Sequence, residues 1–192
     1  MYTQILENVC KKINLTKEEQ NILIDYLEIK EYSKRSYLLK EGDICNFEGY
    51  INKGCVRKYY INEHGNEFIL QFAIEDWWIS DIASFHEQKA SKLFIETLDD
   101  SQLFILTPSK KEELLKKVPK LERFFRLLVQ KSMVAGQNRL INTVSKTAEE
   151  KYLEFIKIYP TIPQRVPQHL IASYLGISAE FLSKVRTRLS KK

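Results

Sequence analysis

The chain has 192 residues, 44% of them hydrophobic and 29% charged, with a formal net charge of +5. That length can bury a real core and hold one or two domains. No apolar run approaches the ~20 residues of a membrane span, and the start, MYTQILENVCKK, lacks the basic region, apolar block and cleavage site of a secretory signal. A cytoplasmic protein without a membrane partner is therefore expected. Cys10, Cys45 and Cys55 are odd in number and irregularly spaced, which fits neither a disulfide framework nor a zinc ribbon. They read as reduced packing residues, and an iron–sulfur cluster would ordinarily ask for a fourth cysteine.

Residues 3–30 read as helical. Ile5, Leu6 and Val9 form one apolar face, and Thr16 to Glu19 form a capping box ahead of Ile22, Leu23, Tyr26 and Leu27. From Tyr32 to Thr107 the texture changes to short runs rich in Tyr, Phe, Ile and Val, punctuated at Gly42, Gly54 and Gly65. CVRKYYI (55–61) and EFILQFA (67–73) predict a hairpin, and LFIET (93–97) with QLFILT (102–107) predict a second around Asp99-Asp100. Many short strands at this spacing imply a roll, sandwich or barrel.

Helices then return. Pro108 opens a short helix to Lys117, and Pro119 opens a long one. Along it Leu121, Phe124, Phe125, Leu128, Ser132, Ala135, Gly136, Arg139, Leu140 and Thr143 recur at steps of three and four, the seam of a helix packed lengthwise on a partner. The expected partner is a second copy, with packing on its own roll as the alternative. Thr147 and Glu150 cap a further helix that ends at Pro160.

The last stretch, QHLIASYLGISAEFLSKVRT (168–187), has the grammar of a helix-turn-helix: a small residue at Ala172, a turn at Gly176, and apolar plugs at Ile177, Leu182 and Val185. Leu170, Ile171, Tyr174 and Leu175 share one face of the first helix, and Phe181, Leu182, Val185 and Leu189 one face of the second. Ser178 is placed to cap the second helix. Ala179, Glu180, Ser183, Lys184, Thr187 and Arg188 then point outward with Arg186 flanking, a surface suited to base edges and phosphates. Charge supports this independently. Residues 165–192 hold six basic side chains and one acid, so the whole +5 sits there and the preceding 164 residues balance at 24 against 24. That is the footprint expected for a polyanion.

Helical cover, glycine-punctuated roll, long seam helix and terminal helix-turn-helix, in that order, resemble the Crp/Fnr family of bacterial transcription regulators. The residues that carry the resemblance are LLKEGD (38–43), NKGCVRKYY (52–60) and IASYLGISAEFLSKVRTRL (171–189). The resemblance implies an α+β chain: a cyclic-nucleotide-binding-like β-roll of the jelly-roll type with its helical cover over residues 1–118, a dimerisation helix over 119–145 and a DNA-binding helix-turn-helix over 146–192. It also implies that Glu180 and Lys184 reach into the major groove. Ala179 stands where the best-known member has an arginine, which implies another operator.

Two departures qualify the resemblance. Ser80-Asp81 stand where nucleotide-binding members have Gly-Glu for the ribose, and Ser91-Lys92 where they have Arg-Ser for the phosphate, so the bidentate guanidinium is missing. Cyclic AMP is not the expected effector, and no cofactor is assigned. Only Ser190, Lys191 and Lys192 follow the recognition helix, so the expected domain lacks a complete wing, with the terminal lysines as candidate replacements.

The resulting expectation is a homodimeric regulator reading a palindromic site in double-stranded DNA, with RNA polymerase a further partner and a small-molecule effector of unknown identity in the roll. Gln168, Ser178, Arg186 and Arg188 are expected on phosphates, Glu180 and Lys184 on bases with Ala179 and Ser183 beside them, Ser80, Asp81, Ser91 and Lys92 in the ligand pocket, and Leu121, Phe124, Phe125, Leu128, Ser132, Ala135, Gly136 and Leu140 at the dimer interface. One alternative is a ligand-sensing module that contacts another protein and never touches DNA. The other is a cupin-like metalloenzyme, which His64, His86 and His169 do not supply with clustered ligands. No catalytic residue and no metal ligand is assigned.

Overall fold

The computed structural model describes residues 1–189. Helices α1 (Thr3–Cys10) and α2 (Lys17–Tyr26) come first, then strands β1 (Glu28–Tyr32), β2 (Tyr37–Leu39), β3 (Glu48–Lys53), β4 (Val56–Ile61), β5 (Glu67–Ala73) and β6 (Trp78–Ile79). Helix α3 (Ile82–Glu87) precedes β7 (Phe94–Thr97) and β8 (Ser101–Leu106). The remainder is helical: α4 (Pro108–Lys117), α5 (Lys120–Ser145), α6 (Ala148–Ile158), α7 (Ile162–Arg165), α8 (Gln168–Leu175) and α9 (Ala179–Leu189). The chain divides into two compact units, residues 1–58 with 72–131 and residues 59–71 with 132–189 of the described chain.

Strands β1 to β8 form the roll, an antiparallel jelly-roll of two four-stranded sheets in the orders β1-β8-β3-β6 and β2-β7-β4-β5. Strand β8 explains why QLFIL is apolar without alternation. Leu103 and Ile105 enter one core with Ile51, Val56, Ile79 and Ile95, while Phe104 and Leu106 enter a second core with α1, α2, α4 and the start of α5. A strand buried on both faces needs apolar residues at every position. Gly54 (φ 106°) is required where β3 turns into β4, since a Cβ there would stand 2.2 Å from Ser101 Oγ.

Three expectations are corrected. Residues 3–30 are not continuous helix: α2 ends at Tyr26, and Glu28–Tyr32 pairs antiparallel with β8 in the register Ile29 to Phe104. Sheet pairing there overrides the helical propensity of a Glu- and Lys-rich segment. The runs around Asp99-Asp100 do not form a hairpin either, because β7 lies beside β2 and β4 in one sheet and β8 beside β1 and β3 in the other. The chain crosses between sheets at that turn.

The third correction concerns α5. Leu121, Phe124 and Phe125, expected at a dimer seam, are buried in the roll's own helical core, where the two phenylalanines stand 5.8 Å from the Trp78 ring and Leu128 packs alongside. At ~1.5–3 kcal/mol for each side chain removed from water, they stabilise the monomer and offer nothing to a second copy. Beyond Leu128 the helix changes character. From Gln130 to Ser145 only Arg139 and Asn142 are partly buried, so Ser132, Ala135, Gly136 and Leu140 are exposed. Met133, Val134, Leu140, Ile141 and Val144 form one exposed apolar stripe at spacings of three, four and seven, with Leu140 67% exposed.

One buried charge pair ties α4 to the roll. Lys111 Nζ lies 2.7 Å from Glu48 Oε2, both side chains almost fully buried, and 4.3 Å from the centre of the Phe125 ring. The contact is ionic, without good hydrogen-bond angles at that oxygen.

Candidate nucleic-acid interface

The candidate interface lies in the second unit and is built from α8 and α9. Leu170, Ile171, Ala172 and Leu175 of α8 are buried, as are Leu182 and Val185 of α9, and the Phe155 ring of α6 meets Tyr159 and Tyr174 at 5.2 Å each. Gly176 ends α8 in the left-handed region (φ 69°, ψ 37°), and the N–H of Ile177 donates back to the Ala172 carbonyl at 3.1 Å. That pairing satisfies the end of α8 and turns the chain sharply into α9, a job glycine does without strain.

Ser178 starts α9. Its hydroxyl oxygen accepts from the Phe181 N–H at 3.2 Å, as a cap should. With Leu182 and Val185 inward, Glu180, Ser183, Lys184, Thr187 and Arg188 are exposed, and Ala179 and Arg186 are half-buried at the flank. Gln168, at the start of α8, shares a shallow surface depression with Ser183, Arg186 and Thr187, and a neighbouring one is lined by Ser183, Lys184, Thr187 and Arg188. The sequence-predicted readers are thus brought together on one surface. The Glu180 carboxyl is held below the usual carboxylate range by its own backbone N–H, by the Ser178 hydroxyl and by the charge of Lys184. It is therefore an ionised acceptor at neutral pH. Arg188 Nη1 stands 3.9 Å from Glu149 Oε2 on α6, a loose contact for an exposed arginine. Lys191 and Lys192 lie outside the described residues.

Phe181 departs from expectation. Placed by the sequence reading on the inner face of α9, it is 48% exposed and stands at the edge of the outward surface, one helical turn from Lys184. Arg139, which the seam reading assigned to a helix face, has another role. Its guanidinium donates to the carbonyl oxygens of Ile69 (2.6 Å), Leu70 and Tyr174 (3.0 Å) and lies 4.0 Å over the Tyr174 ring. Burial pulls its pKa down from the usual arginine value. Beside it, Ser173 Oγ donates to the Glu67 carbonyl (2.6 Å) and accepts from the Ile69 N–H (3.1 Å), fastening α8 to β5. Nothing in the spacing of Arg139 or Ser173 separates these contacts from an ordinary surface pattern.

The ligand-pocket candidates belong to the first unit and are engaged differently. Ser80 Oγ donates to the Phe47 carbonyl at 2.9 Å. Asp81 caps α3 by accepting from the Ser84 N–H and also accepts from Ser91 Oγ at 2.7 Å, all three residues being buried. Lys92 is exposed. Ser80, Asp81 and Ser91 therefore hold the α3 segment together, and Lys92 does not join them. Among the described residues no group of His, Cys, Asp and Glu is arranged to hold a metal ion.

A cyclic nucleotide-binding domain model matches residues 29–118. The "Fumarate and nitrate reduction regulatory protein" of Vibrio cholerae is 25% identical over 198 aligned residues, covering 97% of this chain and 78% of its own. FixK2 of Bradyrhizobium japonicum superposes with a TM-score of 0.76 at 17% identity, over 86% of this chain and 85% of that one. A Crp/Fnr transcriptional regulator of Eubacterium rectale superposes with a TM-score of 0.69 at 15% identity, over 92% of this chain and 84% of that one. Over residues 29–118 the chain carries a cyclic nucleotide-binding domain, and along nearly its whole length it is similar to regulators of the Crp/Fnr type. Like these Crp/Fnr relatives it combines the nucleotide-binding type of roll with C-terminal helices, and such relatives are named as regulators. No helix among its described residues is long and apolar enough to cross a membrane.

Proposed function

We propose that the chain is a DNA-binding transcription regulator that works as a homodimer on a palindromic site. The observation that carries this reading is the surface of α9. Its first turns expose an ionised acceptor, Glu180, beside a cation, Lys184, while the chain's entire excess of positive charge lies in the same terminal segment. Glu180 accepts from a cytosine amino group and Lys184 donates to guanine, with Ala179 and Ser183 against the neighbouring base edges. Gln168, Ser178, Arg186 and Arg188 hold phosphates and set the register.

The dimer forms through the second half of α5, with Leu140 retained from the expected interface and Met133, Val134, Ile141 and Val144 replacing the residues the roll has already buried. Five large apolar side chains on one helix face are a costly surface for a lone chain, and a second copy covers them symmetrically. Two recognition helices are then presented to major grooves about 34 Å apart, one turn of the duplex. The roll does not take cyclic AMP and serves either as the site of another effector or as a scaffold, a reading supported by the internal bonds of Ser80, Asp81 and Ser91 and by the absence of an arginine at Ser91-Lys92.

The test is a gel-shift series across salt concentration, on duplexes selected from a random library and on unselected duplexes. Selected sites should be palindromic and preferred by about a thousandfold or more. Arg188→Ala should weaken all duplexes alike and reduce the salt slope by about one. Failure to bind either duplex at low salt would overturn the proposal.

A further inference from the structure

Phe181 is 48% exposed on α9. It is a large apolar side chain in the first turn of a helix whose other fully exposed residues are polar, and the Ser178 hydroxyl caps its backbone N–H. On a helix, residues three and seven positions apart share an edge, so Phe181 lines up with Lys184 and Arg188 along one border of the outward surface. The inner face is meanwhile occupied by Leu182 and Val185.

Its chemistry narrows the contact. A phenyl ring cannot donate to phosphate or pair with a polar base edge, so in a groove it must meet the apolar parts of DNA, the thymine 5-methyl group or deoxyribose. Recognition helices of this kind put their N-terminal residues nearest the base edges, which favours the methyl group. Lys184, one turn along the same edge, sits over the adjacent base pair under the reading above. On that reading of α9, we propose that Phe181 is a specificity-determining residue that reads a thymine methyl next to the base pair contacted by Lys184, in each half-site.

Replacing thymine by uracil removes that methyl and nothing else. On the selected operator, single dT to dU substitutions made symmetrically in both half-sites should leave most positions unaffected. At one position adjacent to the Lys184 contact, affinity should fall about fourfold per half-site, the worth of one buried methyl group. For Phe181→Ala, binding should already be weaker and should no longer respond to dU at that position. Phe181→Leu, which keeps an apolar contact, should restore part of the response. Because the side chain is exposed, neither variant should lose its fold, which circular dichroism and the melting temperature will report. If wild-type protein binds the operator tightly but no dU position matters, or if Phe181→Ala responds to dU as wild type does, the methyl contact is wrong while DNA recognition stands. If no duplex is bound at all, the reading of α9 itself fails.

Discussion

The polar residues of the roll and those of α9 lead opposite lives. Ser80, Asp81 and Ser91 are buried and bonded to Phe47, Ser84 and one another. Glu180, Ser183, Lys184 and Thr187 lie open on a helix face whose underside alone is packed. A polar group buried with partners specifies a fold, because losing a partner leaves a desolvated atom behind. An exposed cluster of donors and acceptors adds little stability and stays available for an outside partner. Position in a family motif does not distinguish the two situations; burial does.

The sharpest way to break this contrast is in the roll. Lys111→Ala should strand the Glu48 carboxylate in the core and destabilise the protein by about 3–5 kcal/mol, read as a fall in urea midpoint, while Lys111→Met with Glu48→Leu should recover most of the loss. Asp81→Ala removes a helix cap and the acceptor for Ser91, and should cost about 2 kcal/mol by the same measurement. If Asp81→Ala is neutral for stability, the residue is held for a ligand and the contrast fails.

On α9 the expected pattern reverses. Lys184→Ala should change stability by no more than about 0.5 kcal/mol yet narrow the preference for selected over random duplexes by about ten- to a hundredfold in the gel-shift series. Leu140→Glu should turn a dimer into a monomer in analytical ultracentrifugation, with the roll's melting behaviour retained, since that side chain lies outside both roll cores. The smallest effect concerns pH. Burial raises the Asp76 carboxyl, but donation from Tyr50, Asn8 and Lys11 outweighs it and leaves the pKa below the usual aspartate value. A depressed folded pKa means the stabilisation is present above the unfolded value and lost as pH falls through the folded one. Stability should therefore decline as acid is added below about pH 5, and Asn8→Ala should flatten that decline in urea titrations at several pH values.

Signals that depend on a few neighbouring residues were legible. The capping boxes at Thr16 and Glu19 and at Thr147 and Glu150 form as the spacing predicts, and Gly176 adopts the left-handed turn the helix pair needs. The course of β7 and β8 was not, because two apolar runs flanking Asp99-Asp100 look the same whether they pair with each other or part into separate sheets. Nor was the division of α5. A three-and-four periodicity runs through Leu121 and through Leu140 alike, but only the roll's helical core, assembled from α1, α2 and α4, decides that the first is already covered. Phe181 was misplaced for a related reason. Size assigned it to the apolar stripe, whereas the angle set by Leu182 and Val185 turns it outward.

Strand β5 comes last in its sheet, so among the described residues one side of its backbone lacks a neighbouring strand. The groups there are answered by side chains: the Glu67 carbonyl and Ile69 N–H by Ser173, and the Ile69 and Leu70 carbonyls by Arg139. These two residues thus keep that edge of the strand occupied. A chain in which α8 swings away uncovers a bare β-ribbon edge flanked by exposed Phe68 and Leu70, a template on which other chains can stack into insoluble assemblies.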